Sequence, residues 1–159
     1  MGRVLVIYHS DKGHTRSLAE LVAEGARSVE GTEVELVPAA DVDLSEAAEA
    51  DGFAIGSPNY FDYVAGEVKS FFDKILNDQR FHGKLYVGFG THGGDEKVLG
   101  VLDWLASHCH LKEVVTGLEC RCDHVPQCAQ AARALGKALA EAAARQHARH
   151  PSPAGTTNP

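Results

Sequence analysis

Short apolar runs alternate along this chain with longer stretches in which apolar residues recur at helical spacing. The runs have few polar interruptions, which is typical of strands covered on both faces of a parallel sheet. They predict five strands, at residues 4–8, 34–38, 53–56, 85–89 and 113–118. The second strand ends in Pro38, which favours a position at the edge of the sheet.

The stretches with helical spacing predict helices over residues 18–29, 64–76, 98–105 and 126–147. Ser45 is predicted to cap a fifth, short helix that runs through Ala50. Strands and helices alternate, so we predict an α/β fold: a doubly wound, five-stranded parallel sheet with right-handed crossovers and helices on both faces. We expect one domain over residues 1–148 and a disordered, Pro-rich tail over residues 149–159.

The composition is that of an acidic globular domain, with 44% hydrophobic residues, 23% charged residues and a net charge of −7. Nucleic-acid phosphates need clustered Lys and Arg, so we expect no nucleic-acid partner. No apolar run approaches the roughly 20 residues that span a bilayer, and no signal peptide is recognisable. We therefore predict a cytoplasmic protein without membrane association. Thiols stay reduced there, so the four cysteines are not expected to form a disulfide framework.

Ligands of such a sheet bind beyond the carboxyl ends of the strands, where the strand order reverses. The loop after the first strand precedes a helix, and its hydroxyls and free backbone N–H groups make an anion site. Gly13 allows a tight turn there, while Lys12 adds positive charge. The candidate anion-binding residues are Ser10, Asp11, Lys12, Gly13, His14 and Thr15. In the alternative interpretation, Ser10 or Thr15 only caps the helix.

The loops after the third and fourth strands carry groups that suit a flat ring. Aromatic side chains can stack on a ring, and an amide can donate to and accept from its edge. The candidates in the second loop are Pro58, Asn59, Tyr60 and Phe61, and those in the third loop are Thr91, His92, Gly93 and Gly94. Two alternatives stay open. The aromatic residues pack against the following helix, or His92 is an ordinary exposed histidine.

Four other classes of α/β protein are excluded because this chain lacks the motifs or residues that they require. The chain contains neither the G-x-x-x-x-G-K-[ST] loop of P-loop NTPases nor a G-x-G-x-x-G dinucleotide loop after the first strand. A phosphatase of this topology would have a nucleophilic cysteine where Tyr8 and His9 stand. A receiver domain would have an aspartate after the third strand, where this chain has Ser57 and Pro58.

Four segments, taken in order, resemble the flavodoxin family. Residues 10–15 resemble its S/T-x-T-G-x-T phosphate loop, and residues 51–61 resemble the D-G-x-x-x-G-S-P-x-Y-F segment of flavodoxin-like oxidoreductases. Residues 66–73 match their G-x-x-K-x-F-F-D helix. Residues 92–96 are similar to the H-G-G-Q-E stretch of flavodoxin-like NAD(P)H:quinone oxidoreductases. The resemblance covers about residues 3 to 147.

The resemblance implies strand order 2-1-3-4-5 and one non-covalent FMN. The loop at residues 10–15 would contact the phosphate, and residues 58–61 and 91–94 would contact the ring. The chain would be a redox protein in which the flavin does the chemistry and no side chain acts as a catalytic acid or base. Two departures stand out. Lys12 replaces a hydroxyl residue of the family's loop, and the long insertion of the quinone oxidoreductases is absent.

Three functions follow from this resemblance. The favoured one is an NAD(P)H-dependent reductase of quinones or similar acceptors. The second is an electron carrier that docks on a redox partner protein, and an acidic surface suits docking on a basic partner. The third is a flavin-free module of the same fold. A homodimer is the default assembly, since two-fold dimers are the commonest oligomers.

A cysteine-rich segment follows the fifth predicted strand, with candidate metal or redox residues at Cys120, Cys122, His124 and Cys128. Cys109 would lie at the other end of that strand, about 20 Å away at 3.3 Å per residue, which is too far for a shared site. The C-x-C spacing matches structural zinc sites poorly, and we predict no metal. The thiols could exchange electrons with a substrate. The alternative is that they are reduced, partly buried cysteines in a loop.

Overall fold

The computed structural model describes residues 2–150, so residues 151–159 of the tail predicted at 149–159 lie outside the described residues, and Arg149 belongs to the last helix. The elements in chain order are β1 (Gly2–Tyr8), α1 (His14–Arg27), β2 (Thr32–Pro38), α2 (Leu44–Ala48), β3 (Gly52–Pro58), α3 (Gly66–Ile75), β4 (Leu85–His92), α4 (Val98–His108), β5 (Lys112–Glu113), β6 (Leu118–Arg121) and α5 (Ala129–Arg149). A 3₁₀ segment, Cys122–Cys128, leads into α5. Within the described chain, no helix is both long and apolar enough to cross a membrane.

The sheet is parallel and has the order β2-β1-β3-β4-β5, which confirms the predicted fold and strand order. β1 lies between β2 and β3, with Val6 opposite Leu36 on one side and opposite Ala54 on the other. The chain leaves β1 in one direction to form β2 and crosses back to form β3. The carboxyl ends of β1 and β3 therefore mark the point where the strand order reverses, as a ligand site in such a sheet requires.

The buried strand residues divide between two helix layers. Leu5 and Ile7 face the layer that contains α3 and α4, whereas Val4 and Val6 pack with α1 and α5. Successive strand residues point to opposite faces, so an unbroken apolar run is what a sheet between two helix layers needs. Each fully buried aliphatic side chain such as Ile7 contributes about 1.5–3 kcal/mol to this core.

The fifth position of the sheet differs from the single strand predicted at residues 113–118. Two short strands, β5 and β6, fill it, and both pair with β4. The chain leaves the sheet at Val115, which is exposed. It returns at Gly117, where a Cβ atom would lie only 2.2 Å from the carbonyl oxygen of Gly88. β6 then continues to Arg121, which places Cys120 inside the sheet beside Thr91 and not in a loop.

The cap of the short helix is also corrected. Asp43, not Ser45, caps α2, because its carboxylate accepts the backbone N–H groups of Ser45 at 2.9 Å and Glu46 at 3.1 Å. The helix begins at Leu44, so Ser45 lies inside its first turn. A carboxylate at this position also interacts favourably with the positive end of the helix dipole.

Candidate functional site

A cleft of about 230 Å³ opens at the carboxyl ends of β1, β3 and β4. The three loops that follow these strands form its walls. The cleft is lined by Ser10, Asp11, Lys12, His14, Thr15, Pro58, Asn59, Tyr60, Thr91, His92, Gly93 and Cys122. We call this space the loop cleft. It lies at the point of strand-order reversal, where the sequence analysis expected a ligand.

The first loop presents the amino-terminal end of α1 to the loop cleft. Gly13 precedes the helix in the left-handed region, with φ 92°. The Ser10 hydroxyl accepts the Gly13 N–H at 3.1 Å and closes the turn. No side chain of the described residues caps α1, and its first turn holds no acidic residue. The free N–H groups and the helix dipole together favour an anion at this end of the cleft.

Buried hydrogen bonds fix the three loops to one another. The hydroxyl oxygens of Thr15 and Thr91, both almost fully buried, lie 2.8 Å apart and join α1 to the end of β4. The backbone N–H of Asn59 donates to the carbonyl oxygen of Thr91 at 2.8 Å. The Asn59 side-chain amide donates to the carbonyl oxygen of Asp95 at 2.9 Å. The floor of the loop cleft is therefore held in one arrangement before any ligand binds.

A charged network closes one side of the loop cleft. The Tyr60 hydroxyl donates to the Asp11 carboxylate at 2.6 Å, and this hydrogen bond lowers the pKa of Asp11. His9 lies 3.4 Å from Asp11 and 3.3 Å from Glu67 of α3. Burial and the hydrogen bond to Asp11 raise the pKa of Tyr60 to about 12. At neutral pH Tyr60 is therefore protonated and Asp11 is ionised, which is the pair of states that this hydrogen bond needs.

Two buried polar atoms in the cleft wall have no hydrogen-bond partner within residues 2–150. They are Asn59 Oδ1 and His92 Nδ1. His92 ends β4 and is only 6% exposed, so the interpretation of an ordinary exposed histidine is wrong. Leaving such an atom without a partner costs about 1–3 kcal/mol. A ligand that supplies a donor and an acceptor here offsets that cost.

Of the fourteen residues proposed from the sequence, the structure brings eleven to the wall of the loop cleft. Gly13, Phe61 and Gly94 do not line it. Gly13 lies behind the first loop, where it sets the turn. Phe61 is fully exposed, because two hydrogen bonds between Tyr60 and Tyr63 close a tight turn with Phe61 at φ 55°. That turn directs the Phe61 side chain away from the cleft, whereas Tyr60 packs partly against the core.

Sequence reasoning missed two residues of this site. His9 was not among the candidates, although it bridges Asp11 and Glu67. Its position directly after the first strand was the only available signal. Cys122 was a candidate for metal or redox chemistry, but it was not expected to line the same cleft as Tyr60 and His92. It does so because β6 pairs with the end of β4 and the following 3₁₀ segment turns toward the first two loops.

The expectation that the cysteines form no disulfide is wrong, because Cys120 is bonded to Cys128. Their Cα atoms are 6.5 Å apart, within the range that a disulfide spans. Cys109 and Cys122 are free thiols. Within the described chain, no group of three or more His, Cys, Asp or Glu side chains could hold a metal ion.

Comparison with known proteins supplies a second, independent line of evidence. A family model described as Flavodoxin matches residues 6–136. A flavodoxin from Aquifex aeolicus is 46% identical over 96 residues, which cover 59% of this chain and 52% of that protein. An NAD(P)H dehydrogenase (quinone) from Chromohalobacter salexigens is 33% identical over a match that covers 62% of this chain and 63% of that protein. This chain thus spans between half and two thirds of the length of these two relatives.

A solved structure extends the comparison to the fold. A flavodoxin from the domain Archaea superposes with a TM-score of 0.82 at 22% sequence identity. The superposition covers 89% of this chain and 99% of that one. The two chains therefore share one fold over almost the whole length of the archaeal protein.

Proposed function

This chain belongs to the flavodoxin family, whose cofactor is FMN, and we propose that it works as an NAD(P)H-dependent reductase of quinones or similar acceptors. Its class is that of a flavodoxin-like redox protein. One observation carries the assignment of the site: three loops meet at the reversal point around a cleft that has an uncapped helix terminus and two buried polar atoms without described partners. A flavin mononucleotide has an anionic phosphate that suits the first feature and a polar ring that suits the second.

We assign the phosphate to the first loop, residues 10–15. The amino terminus of α1 offers N–H groups that no described side chain occupies, and Lys12 adds a positive charge beside them. Asp11 has the wrong charge for a phosphate contact. Its carboxylate, however, is bound to the Tyr60 hydroxyl and lies near His9, so it belongs to the link between the first two loops. Ser10 and Thr15 contribute hydroxyls near the same end.

We assign the ring to the space between Pro58, Asn59 and Tyr60 on one side and residues 91–94 on the other. Asn59 Oδ1 accepts and His92 Nδ1 donates or accepts, so these two atoms suit the alternating polar edge of a flavin. Gly93 has open space where a Cβ would lie, which leaves room for a ring close to the backbone. Phe61 lies outside this space and is fully exposed.

When bound, the flavin supplies hydride and single-electron transfer. The protein's part is to hold the ring in position and to control the polarity around it. Tyr60 keeps one orientation because its hydroxyl donates a hydrogen bond to the Asp11 carboxylate. The buried hydroxyl pair of Thr15 and Thr91 fixes the cleft floor in position. No side chain of the cleft has to gain or lose a proton for a hydride to reach the ring.

An electron carrier without its own substrate is the second candidate. It is favoured by the 46% identity to a flavodoxin, the higher of the two identities above. The net charge of −7 also suits docking on a basic redox partner. The two candidates share the cofactor and differ only in whether a nicotinamide reduces the bound flavin directly.

The test has two stages. The purified protein should be yellow, and the flavin-free protein should rebind FMN with one molecule per chain. Oxidation of NADH and NADPH is then followed at 340 nm with and without a soluble quinone. Acceptor-dependent turnover that is lost in the flavin-free protein and restored by FMN supports the reductase. Rebinding of FMN without turnover on either nicotinamide contradicts the reductase and favours the carrier. Failure to bind FMN at micromolar concentrations contradicts both and leaves the flavin-free module.

A further inference from the structure

Three cysteines lie within nine residues of the chain, and one of them, Cys122, lines the loop cleft. Cys120 belongs to β6, where it pairs with Thr91 of the cleft floor. Cys128 ends the 3₁₀ segment that follows, and the disulfide between them closes that segment into a loop. Cys122 lies inside this loop as a free, partly exposed thiol and lines the cleft. The disulfide therefore holds the segment that carries the free thiol.

The free thiol is tethered close to the disulfide. Cys122 is two positions after Cys120, with only Arg121 between them, so their Cα atoms are no more than about 7 Å apart. Cys120 is only 1% exposed, whereas Cys128 is partly exposed. The sulfur of Cys128 is therefore the more accessible target for an attacking thiolate. The segment between them is also not a regular helix, since His124 departs from helical geometry.

We propose that Cys122 and the Cys120–Cys128 disulfide form a thiol–disulfide exchange site on the wall of the loop cleft, which takes low-molecular-weight thiols of the glutathione class as its substrate. The site goes beyond the proposed function, and only its protection by FMN rests on that function. Disulfides in reducing compartments, such as the cytoplasm predicted for this chain, are usually catalytic or redox-sensing.

The exchange balances without an external oxidant. The Cys122 thiolate attacks the Cys128 sulfur, the bond between these two sulfurs forms, and the Cys120–Cys128 bond breaks. Cys120 leaves as a thiolate and takes up the proton that Cys122 released to solvent. The external thiol then acts in a separate step. Two molecules of thiol are oxidised to their disulfide, while the protein disulfide is reduced to two thiols.

Cys109 provides the internal control. It is a free thiol like Cys122, but it is only 2% exposed and belongs to the core on the other face of the sheet. Burial raises its pKa to about 11. Its thiolate is therefore scarce at neutral pH, and no disulfide lies beside it among the described residues. Cys109 therefore gives the labelling rate of a buried thiol with no described disulfide beside it, and the exchange itself is read from a new linkage between Cys122 and Cys128.

The experiment uses the full flavin-free chain in a buffer of reduced and oxidised glutathione at pH 8. A brief pulse of iodoacetamide and non-reducing peptide mapping then locate free thiols and bonds. We expect Cys122 to be labelled at least tenfold faster than Cys109, and a Cys122–Cys128 linkage or a glutathione adduct to appear beside Cys120–Cys128. Cys122→Ser should abolish the new linkage, and Cys109→Ser should leave it unchanged.

Two results would overturn the proposal. One is a map that contains only the Cys120–Cys128 bond after equilibration, with no linkage to Cys122 and no adduct. The other is a chain that stays fully reduced in excess oxidised glutathione. A separate arm adds saturating FMN, which should slow the labelling of Cys122 at least tenfold. Exchange without this protection would contradict the flavin site and leave the exchange site standing, so the two failures are distinguishable.

Discussion

The two ends of the loop cleft are built in different ways. The proposed phosphate end is local: one turn at Gly13 and the amino terminus of α1 provide its N–H groups. The proposed ring end is assembled from distant parts of the chain, since Asn59 follows β3 and His92 ends β4. A local motif can bind an anion by itself, whereas a ring site needs the whole sheet edge. Riboflavin, which lacks the phosphate, separates the two ends experimentally.

The largest effect is expected at the link between the two ends. Thr15→Val removes one hydroxyl of the buried pair and leaves Thr91 without that partner, so the free energy of unfolding should fall by about 1–3 kcal/mol. Both FMN and riboflavin should bind more weakly, because α1 and β4 lose their common contact. The double variant with Thr91→Val should cost less than the sum of the single variants, since both remove the same interaction. Urea denaturation measures each value.

Thr32→Val is the matched control for this link. The Thr32 hydroxyl is also buried, but it has no hydrogen-bond partner within the described chain. The same substitution should therefore leave the unfolding free energy unchanged or raise it slightly. A loss as large as that of Thr15→Val would show that removing the hydroxyl, and not breaking the link, causes the effect.

The next largest effect is expected from a substitution that changes only the proposed phosphate end. Gly13→Ala places a side chain at φ 92°. This backbone conformation costs a residue other than glycine about 1–2 kcal/mol of conformational free energy. FMN should then bind about tenfold more weakly, while the affinity for riboflavin should hardly change. Gly100→Ala in α4 is the control, since a Cβ there meets open space. Equal weakening of both flavins in Gly13→Ala would contradict the assignment of this loop to the phosphate.

A smaller effect is expected at the Tyr60–Asp11 link, and it depends on pH. The raised pKa of Tyr60 stabilises the fold below about pH 10, and this contribution is lost as the pH rises toward 12. The lowered pKa of Asp11 acts in the opposite range, so its contribution is present at neutral pH and is lost in acid. Asp11→Asn should therefore bring the pKa of Tyr60 down, which an NMR titration of the tyrosine Cζ resonance detects. An unchanged Tyr60 pKa in Asp11→Asn would show that Asp11 does not contribute to its rise.

The smallest effect is expected at Lys12. Its charge is exposed, so Lys12→Ala should weaken FMN binding by only about two- to fivefold, and the difference should shrink as salt is added. Riboflavin binding should not change. Lys74→Ala, on α3 and outside the cleft wall, is the control of equal charge. If both lysine variants weaken FMN equally, only the net charge matters and Lys12 makes no specific contact.

The central strands could be predicted because the unbroken apolar runs at residues 4–8, 53–56 and 85–89 are typical of buried parallel strands, and the strand order was implied by the family resemblance. The fifth strand could not, since the excursion at Val115 depends on the close approach of Gly117 to β4. The local helix cap was also missed, because Asp43 and Ser45 both favour capping and only the three-dimensional entry of the chain decides between them.

The positions of the cleft-lining residues could be predicted because all three loops follow strands that end at the reversal point. The first loop also contains its own turn glycine and hydroxyls, whereas the contacts that join the loops depend on the whole fold. The turn between Tyr60 and Tyr63 has Phe61 and Asp62 at positive φ. Such turns usually have glycine or asparagine at these positions, so the sequence did not predict that Phe61 would turn outward. The Cys120–Cys128 bond was missed because reduced thiols were expected in a cytoplasmic protein, whereas the fold itself brings the two Cα atoms within bonding range.

The central claim is that one FMN binds in the loop cleft with its phosphate at α1 and its ring between the second and third loops. Calorimetric titration of the flavin-free protein with FMN, and in parallel with riboflavin, tests this claim most directly. The account predicts one FMN per chain at submicromolar affinity and riboflavin binding at least tenfold weaker. No heat of FMN binding at micromolar concentrations, or equal affinity for the two flavins, would contradict it.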